Sequence, residues 1–409
     1  MKRNNVRKLI IITLVAVMAI GIPFMSGCLG KPAVSPEPQE KVFKFGLLYP
    51  FSGPYGFFGD VVYPSHQIWE EEVNEAGGIL VGGVSYMVDI VKYDSKADPS
   101  VALTLARKMI YDEGVKYGNC CCLGEISAIN PLTAENKVIM LNCGCGTAPE
   151  GFCCPDSPYT FQTYVEEWEL TWATLRVAHE EHPEYTRIGA LHPNNAMGVL
   201  AKEQLQEVVA ESEEFTLVEN VTIPEDETDF YSSLTAMLDK DVDIIVITVF
   251  GYEQGGLIIK QADELGFDKQ IILQDTMDMP TLKGITSVES MEGVIVGNTL
   301  ETMPTDTGKR WAAKYKELTG GMVYWAGTNY EALKLLKLAI EKVDSFDADL
   351  VAQALGEVEC EGLVGRVSFG KNRFTPDLPR YLKMEIGTSI IRNGELVDVA
   401  HEFSPIWDY

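Results

Sequence analysis

Positive charge is scarce in this chain: 33 Lys and Arg stand against 60 Asp and Glu, a formal net charge of −27 at pH 7. A surface this acidic repels phosphate backbones and argues against a nucleic-acid partner. Signatures of hydrolytic and nucleotide chemistry are missing too. "FSGPYG" (51–56) lacks the G-x-S-x-G elbow, and no G-x-x-x-x-G-K-[ST] phosphate loop occurs. "HEEH" (179–182) sets its histidines three residues apart where a zinc-protease helix needs four, so it reads as a solvated helix end. No catalytic residue, metal-ligand set or cofactor is assigned, and no enzyme activity is expected. Long apolar runs are equally rare: one lies near the start, and no second run of membrane-spanning length follows it.

That single run extends from Leu9 to Phe24, 16 residues, behind Lys2, Arg3, Arg7 and Lys8. It is too short for a comfortable span and ends in small residues, as a secretory leader does. "MSGC" (25–28) then resembles a lipoprotein signal, in which the thiol of Cys28 is acylated before cleavage. Met25 stands where leucine is usual, and the plainer alternative is a secretory leader with an incidental cysteine. Residues 1–27 are thus expected to be removed, and loss of their four basic side chains takes the net charge to −31. The stretch 28–41 includes "KPAVSPEPQEK", with three prolines and no apolar periodicity; it reads as an extended tether to the outer face of a membrane. Beyond it remain about 370 residues, more than one core usually holds, so two lobes are expected.

Short apolar strands alternate with amphipathic helices through that remainder. "VFKFGLLYP" (42–50), "SYMVDIVKYD" (85–94), 138–142, 186–192, 242–249 and 269–273 read as strands. A helix is predicted through Gln67–Glu75, stopping at Gly77 and Gly78. Another is predicted where Val101, Ala102, Leu105, Ala106, Met109 and Ile110 recur at three- and four-residue steps. The fold class is α/β: two doubly wound, Rossmann-like lobes whose parallel sheets are covered on both faces. Such sheets bind ligands at the carboxyl ends of their strands.

At those strand ends the chain resembles a known family. "LLYPFSGPYGFFGD" (47–60), "EEEVNEAGGI" (70–79), "YDSKADPSVALTLARKMIYDEGV" (93–115), "GTAPEG" (146–151) and "SPYTFQT" (157–163) follow in the order and spacing of the leucine/isoleucine/valine-binding family. These are type 1 periplasmic binding proteins that serve ABC importers. "DFYSSLTAMLDKDVDIIVI" (229–247), "IIKQADELGF" (258–267), "MEGVIV" (291–296) and "GLVGRVSFGKNRF" (362–374) continue the likeness. The resemblance implies three hinge crossings, near 161–163, near 296–298 and near Arg380. Residues 42–163 and 298–380 would then form lobe 1, and 164–297 and 381–409 lobe 2, with solute held between them.

The resemblance also implies site residues. Thr147 stands where a hydroxyl meets the ligand carboxylate, and Cys145 where a backbone carbonyl accepts the amine. In the loop after Cys122 the family commonly has Ser-Gly or Ser-Ser; Leu123-Gly124 here leaves only backbone donors, those of Gly124 among them, with Ser127 a candidate substitute. Asp275, five residues before Pro280, is the implied ammonium partner. Phe57 and Phe58 would face Phe250 and Tyr252 as aromatic walls, while Met197 in "HPNNAMG" replaces an aromatic. A medium or large apolar side chain suits such a pocket. The plainer roles are helix N-cap for Thr147, strand-end cap for Asp275 and core packing for the aromatics.

Seven cysteines crowd one window: Cys120, Cys121, Cys122, Cys143, Cys145, Cys153 and Cys154. The strand reading gathers them at one rim of the cleft. Their spacing fits neither the paired C-x-x-C of zinc sites nor a ferredoxin run. Adjacent cysteines are poor partners for each other, and export favours disulfides. The expectation is no stoichiometric metal and at least one disulfide between 120–122 and 143–154; buried thiols, a soft metal or cluster, and direct ligand contact are the alternatives. The disulfide familiar in the resembling family cannot form, because Ala97 occupies one of its positions. The function expected is a lipid-anchored, extracytoplasmic solute-binding protein that delivers a branched-chain or related apolar amino acid to an ABC permease and ATPase. The alternatives are the same role for a short amide, urea or an aromatic carboxylate, and, more remotely, a cysteine-cluster redox or metal protein.

Overall fold

The computed structural model describes residues 41–53, 55–143, 158–248, 252–274, 279–297, 303–321 and 324–407. Cys28 and the residues of the tether up to 40 lie outside the described residues. Strand β1 (Lys41–Tyr49) leads through helix α1 (Phe57–Glu75) to the hairpin β2 (Ile79–Val81) and β3 (Val84–Asp94). Then come α2 (Pro99–Arg107), β4 (Tyr117–Cys120), α3 (Leu123–Glu135), β5 (Ile139–Asn142) and β6 (Thr160–Gln162). A second run comprises α4 (Glu167–Glu181), β7 (Arg187–Pro193), α5 (Ala196–Glu211), β8 (Thr216–Ile223), α6 (Tyr231–Leu238), β9 (Ile244–Ile247) and α7 (Tyr252–Glu264). It closes with β10 (Gln270–Leu273), α8 (Met279–Ile285), α9 (Val288–Met291) and β11 (Ile295–Gly297). The chain returns through α10 (Asp306–Thr319), α11 (Tyr324–Val343) and α12 (Ala348–Leu355) to β12 (Glu359–Glu361), β13 (Arg366–Gly370) and β14 (Tyr381–Lys383). The last elements are the hairpin strands β15 (Ile386–Arg392) and β16 (Glu395–Glu402).

Two mixed sheets result. The first runs β12-β13-β14-β6-β5-β4-β1-β3-β2 and the second β16-β15-β11-β10-β9-β7-β8. Their centres are parallel, and antiparallel pairs flank them at β2–β3, β12–β13–β14 and β11–β15–β16. The last five residues of β1 are all buried, because it pairs in parallel with β3 and β4 and its two faces enter different cores. Phe45, Leu47 and Tyr49 pack with Trp311, Leu333 and Leu336 on one face. Leu48 enters a cluster that joins Met140 and Ile126 to Trp168, Ile188, Val246 and Ile272, so side chains of both sheets share it.

Local chemistry sets the helix ends. Asp98 caps α2 by accepting from the amides of Ser100 and Val101, and Pro99 fills the first helical position, where no N–H is needed. Such a cap stabilises a helix by about 1 kcal/mol. Helix α1 starts at Phe57 rather than near Gln67. Pro64 lies inside it and removes one backbone bond, but burial of Val62, Ile68, Trp69 and Val73 holds the helix through that point. Gly198 in α5 is required by space: a Cβ there would lie 1.9 Å from the Pro193 carbonyl oxygen.

The chain passes from the first sheet to the second after Gln162, returns after Gly297, and crosses again between Lys383 and Ile386. The last passage corrects the expected division at Arg380. Tyr381–Lys383 extends the first sheet, pairing with Ser368–Gly370 on one side and Gln162 on the other. Burial of Tyr381 and Leu382 in that sheet's packing delays the crossing until after Lys383.

Candidate binding cleft

The three passages lie side by side, on β6 and β14 of the first sheet and β11 and β15 of the second. Buried polar groups fix them. Thr163 donates its amide and its hydroxyl to the Asn142 carbonyl, at 2.8 and 3.1 Å, and the Gln162 amide donates to the Arg380 carbonyl at 2.8 Å. Helix α4 opens with a capping box between Glu166 and Glu169. Glu169 also accepts from the Ser404 hydroxyl at 2.5 Å and the Trp407 indole at 3.1 Å, tying α4 to the final turn. Burial nevertheless pushes its carboxyl up to about 7. Gln274, just past β10, donates to the carbonyl and carboxylate of Glu167 and to the Thr171 hydroxyl.

Away from the passages the two sheets meet again. The loop after β1 is held by Asp94, which accepts from the Phe51 amide at 2.9 Å, the Ser52 hydroxyl at 2.6 Å and the Lys96 amide at 3.2 Å. Burial opposes charge on Asp94, yet these donors keep its carboxyl below the usual range. The loop presents Tyr55, whose hydroxyl donates to Glu225 of the second sheet at 2.8 Å. Glu225 follows β8 and also accepts from Asn195, the residue that caps α5. Tyr55 stacks on Phe58 with centroids 6.3 Å apart, and Phe58 on Phe57 at 4.3 Å. Partial burial, Glu225 and the nearby Cys122 thiol push the Tyr55 phenol up to about 12. In strand order the bridge stands three places from β6 in the first sheet and four places from β11 in the second.

Between passages and bridge lies the start of α3. Its N-cap, Cys122, makes no side-chain cap bond, so the first-turn amides, that of Gly124 included, carry the positive end of the helix, with Glu125 the acidic residue of that turn. Ser127 does not replace the missing hydroxyl, because it donates to the Leu123 carbonyl of its own helix at 2.9 Å. Glu125 in the same turn is fully buried and pushed up to about 7 by that burial. Met197 sits, partly buried, in the first turn of α5 behind the Asn195 cap, and Tyr252 opens α7. The structure thus brings Gly124, Phe58 and the α5 start toward one mouth. Thr147, Cys145 and Asp275 lie outside the described residues, as do Phe250, Cys153 and Cys154.

The thiols correct one expectation. The 120–122 and 143 segments are neighbours, with the Cys143 amide donating to the Cys120 carbonyl at 2.9 Å. Yet Cys120, Cys121 and Cys122 are free thiols, not members of the expected disulfide. The strand pleat sends Cys120 into the cluster of Ile126 and Met140 and Cys121 to the opposite face with Tyr49, Leu141 and Cys143. Cys143 instead accepts from Asn329 at 3.4 Å, and Asn329 in turn accepts from Asn119 at 2.7 Å. Burial pushes the Cys120 thiol well up; for Cys121 the hydrogen bond with Cys122 does so first, then burial. Among the described residues no group of three His, Cys, Asp or Glu side chains is placed to hold a metal ion.

Sequence reasoning missed Tyr55, Glu225, Asn195 and Asp94. Only Asp94 carried a signal, as the acid ending a strand before a turn.

Two α/β lobes, hinged by three passages and bridged over an uncapped helix start, define a two-lobed solute receptor. The chain belongs to the periplasmic binding protein family, whose model matches residues 42–382. Members of that family are solute-binding receptors of ABC transporters that act outside the cytoplasm. The chain is similar to the Leu/Ile/Val-binding protein BraC3 of Rhizobium johnstonii, 23% identical over 333 residues, 80% of this chain and 87% of that one. Its fold matches the leucine binding protein LivK of Thermotoga maritima with a TM-score of 0.73 at 22% identity, covering 88% of this chain and 99% of that one. A solute-binding protein of Rhodopseudomonas palustris in complex with 3,4-dihydroxybenzoic acid matches with a TM-score of 0.73, also at 22% identity, covering 89% and 98%.

Proposed function

We propose that this chain is a lipid-anchored extracytoplasmic receptor that captures a branched-chain or related apolar amino acid and delivers it to an ABC permease and ATPase. The observation that carries the reading is the uncapped start of α3, held between the hinge passages and the Tyr55–Glu225 bridge. Free amides at a helix start favour a carboxylate, and the Phe57–Phe58 stack supplies apolar surface beside it. The names of BraC3 and LivK support an amino acid as solute. In this reading Thr147 and Gly124 take the carboxylate, the Cys145 carbonyl and Asp275 take the ammonium, and Phe58, Tyr252 and Met197 form the wall. Cys28 carries the acyl chains, and the halves on either side of the three passages close as rigid lobes.

A second reading, an aromatic carboxylate, draws on two observations. The Rhodopseudomonas palustris protein holds a dihydroxybenzoic acid, and Leu123 removes a hydroxyl from the α3 start. A thermal-shift panel of L-leucine, L-isoleucine, benzoate and 4-hydroxybenzoate separates the two. A solute present at about 100 times its Kd stabilises by about 2.7 kcal/mol. A shift with benzoates alone would overturn the amino-acid reading.

A further inference from the structure

We propose that Tyr55 and Glu225 form a closing latch: positioning residues that hold the two sheets together over a bound solute and set how long it stays. The inference rests on the receptor reading above. The Tyr55 hydroxyl, on the loop after β1, donates to Glu225, on the loop after β8, so the bond joins strands of different sheets across 170 residues of sequence.

Each end is fixed in its own sheet before the two meet. On the first side, Asp94 anchors the loop through Phe51, Ser52 and Lys96, and the Phe58 ring backs the Tyr55 ring. On the second, the Asn195 amide group holds the Glu225 carboxylate, and Gln254 holds the Glu225 carbonyl. Two anchored partners lose little freedom when they bond, so the bond contributes close to its full strength. A phenol donating to a carboxylate is also charge-assisted.

Position in the fold supplies the rest of the argument. Bonds at the passages, such as those of Thr163 and Gln162, sit where the sheets are joined by chain and persist whether the cleft is open or closed. The latch sits three and four strands away and exists only while the sheets are near. Its free energy therefore belongs to the closed state alone and adds to whatever solute is enclosed. The latch slows release without choosing between solutes, and association is little affected.

The test uses the full chain with L-leucine as probe and four variants: Tyr55→Phe, Glu225→Ala, Glu225→Gln and the double variant Tyr55→Phe/Glu225→Ala. Stopped-flow should show Tyr55→Phe raising the dissociation rate about fivefold, with the association rate within about twofold. Glu225→Gln, whose amide oxygen still accepts from the phenol but without charge assistance, should fall between wild type and Glu225→Ala, and the double variant should be no faster than the faster single one. A second readout needs no solute: amide exchange at 55–59 and 225–231 should quicken in Tyr55→Phe and Glu225→Ala and less so in Glu225→Gln. Equal dissociation rates and equal exchange in Tyr55→Phe and wild type would overturn the latch. Failure of wild type to bind L-leucine would count against the amino-acid reading alone, and the exchange comparison would then decide the latch.

Discussion

Replacing Glu169 by Gln should flatten part of the pH dependence of stability and make the chain more stable in mild alkali. The Glu169 carboxyl is 1% exposed, and burial pushes it up to about 7 from a usual carboxylate near 4.5, despite its three donors. Between those values the folded chain holds a proton that the unfolded chain has released. The stability from that proton is fully present below the unfolded value and is lost as pH rises through about 7. Above it the charged, buried group costs about 3 kcal/mol. Burial pushes Glu125 and Glu331 up to about 7 as well. His66 and His192, lowered to about 4 by burial, act at the acid end, because a buried neutral imidazole loses stability as pH falls below its unfolded value. Across pH 6.5 to 8.5 each carboxyl should lose about 0.8 kcal/mol and the three together about 2.5, against a gain of about 0.4 kcal/mol from each of the two histidines. In Glu169→Gln the side-chain oxygen still accepts from Ser404 and Trp407, but the bond from the Glu166 amide is lost, at about 1 kcal/mol. The variant should be about 2 kcal/mol more stable than wild type at pH 8.5 and lose about 0.8 kcal/mol less across the window. Urea unfolding at several pH values measures both quantities. A wild-type stability that is flat across the window, or a variant with the same slope as wild type, would refute the reasoning.

Two further outcomes are expected. Cys28→Ser should leave the chain without lipid and free of membranes on fractionation, since stable anchoring needs two acyl chains on that residue; lipid still attached to the variant would end the lipoprotein assignment. Asp275→Ala should weaken L-leucine binding by about 2 kcal/mol or more and barely change binding of the deaminated analogue, because only the amine loses its charged partner. Equal losses for both in calorimetry would reduce Asp275 to a support for its loop.

Much of the scaffold was legible because burial writes itself into apolar runs. The runs at 138–142, 186–192, 242–249 and 269–273 match the strands β5, β7, β9 and β10 to within two residues at each end. The start of α1 was not, since Pro64 signals a break that only the packing of Val62 and Trp69 overrides. Three-residue strands such as β12 and β14 carry too little pattern to be read. At the site, the place of Gly124 and Phe58 near the strand ends followed from the alternation and the family likeness. The bridge did not, because Tyr55 and Glu225 are brought together by tertiary structure alone. Glu125 was missed for another reason: a glutamate in a helix's first turn reads as a solvated cap, and only its burial shows otherwise. Cys120, Cys121, Cys122 and Cys143 were correctly read as neighbours, and the first three wrongly as bonded, since neighbouring strands set distance while the pleat sets direction.

The offset between passages and bridge has a mechanical side. Adjacent strands lie about 4.8 Å apart, so the bridge stands about 14 Å from the axis in one sheet and about 19 Å in the other. A rotation of about 20° about the passages would part Tyr55 from Glu225 by about 5 to 7 Å. That aperture is about the width of a leucine side chain, whereas groups beside the axis, such as Thr163 and Gln274, would scarcely shift. Entry and exit then require the exposed Tyr55–Glu225 bond to break, while the buried polar joint turns as a pivot.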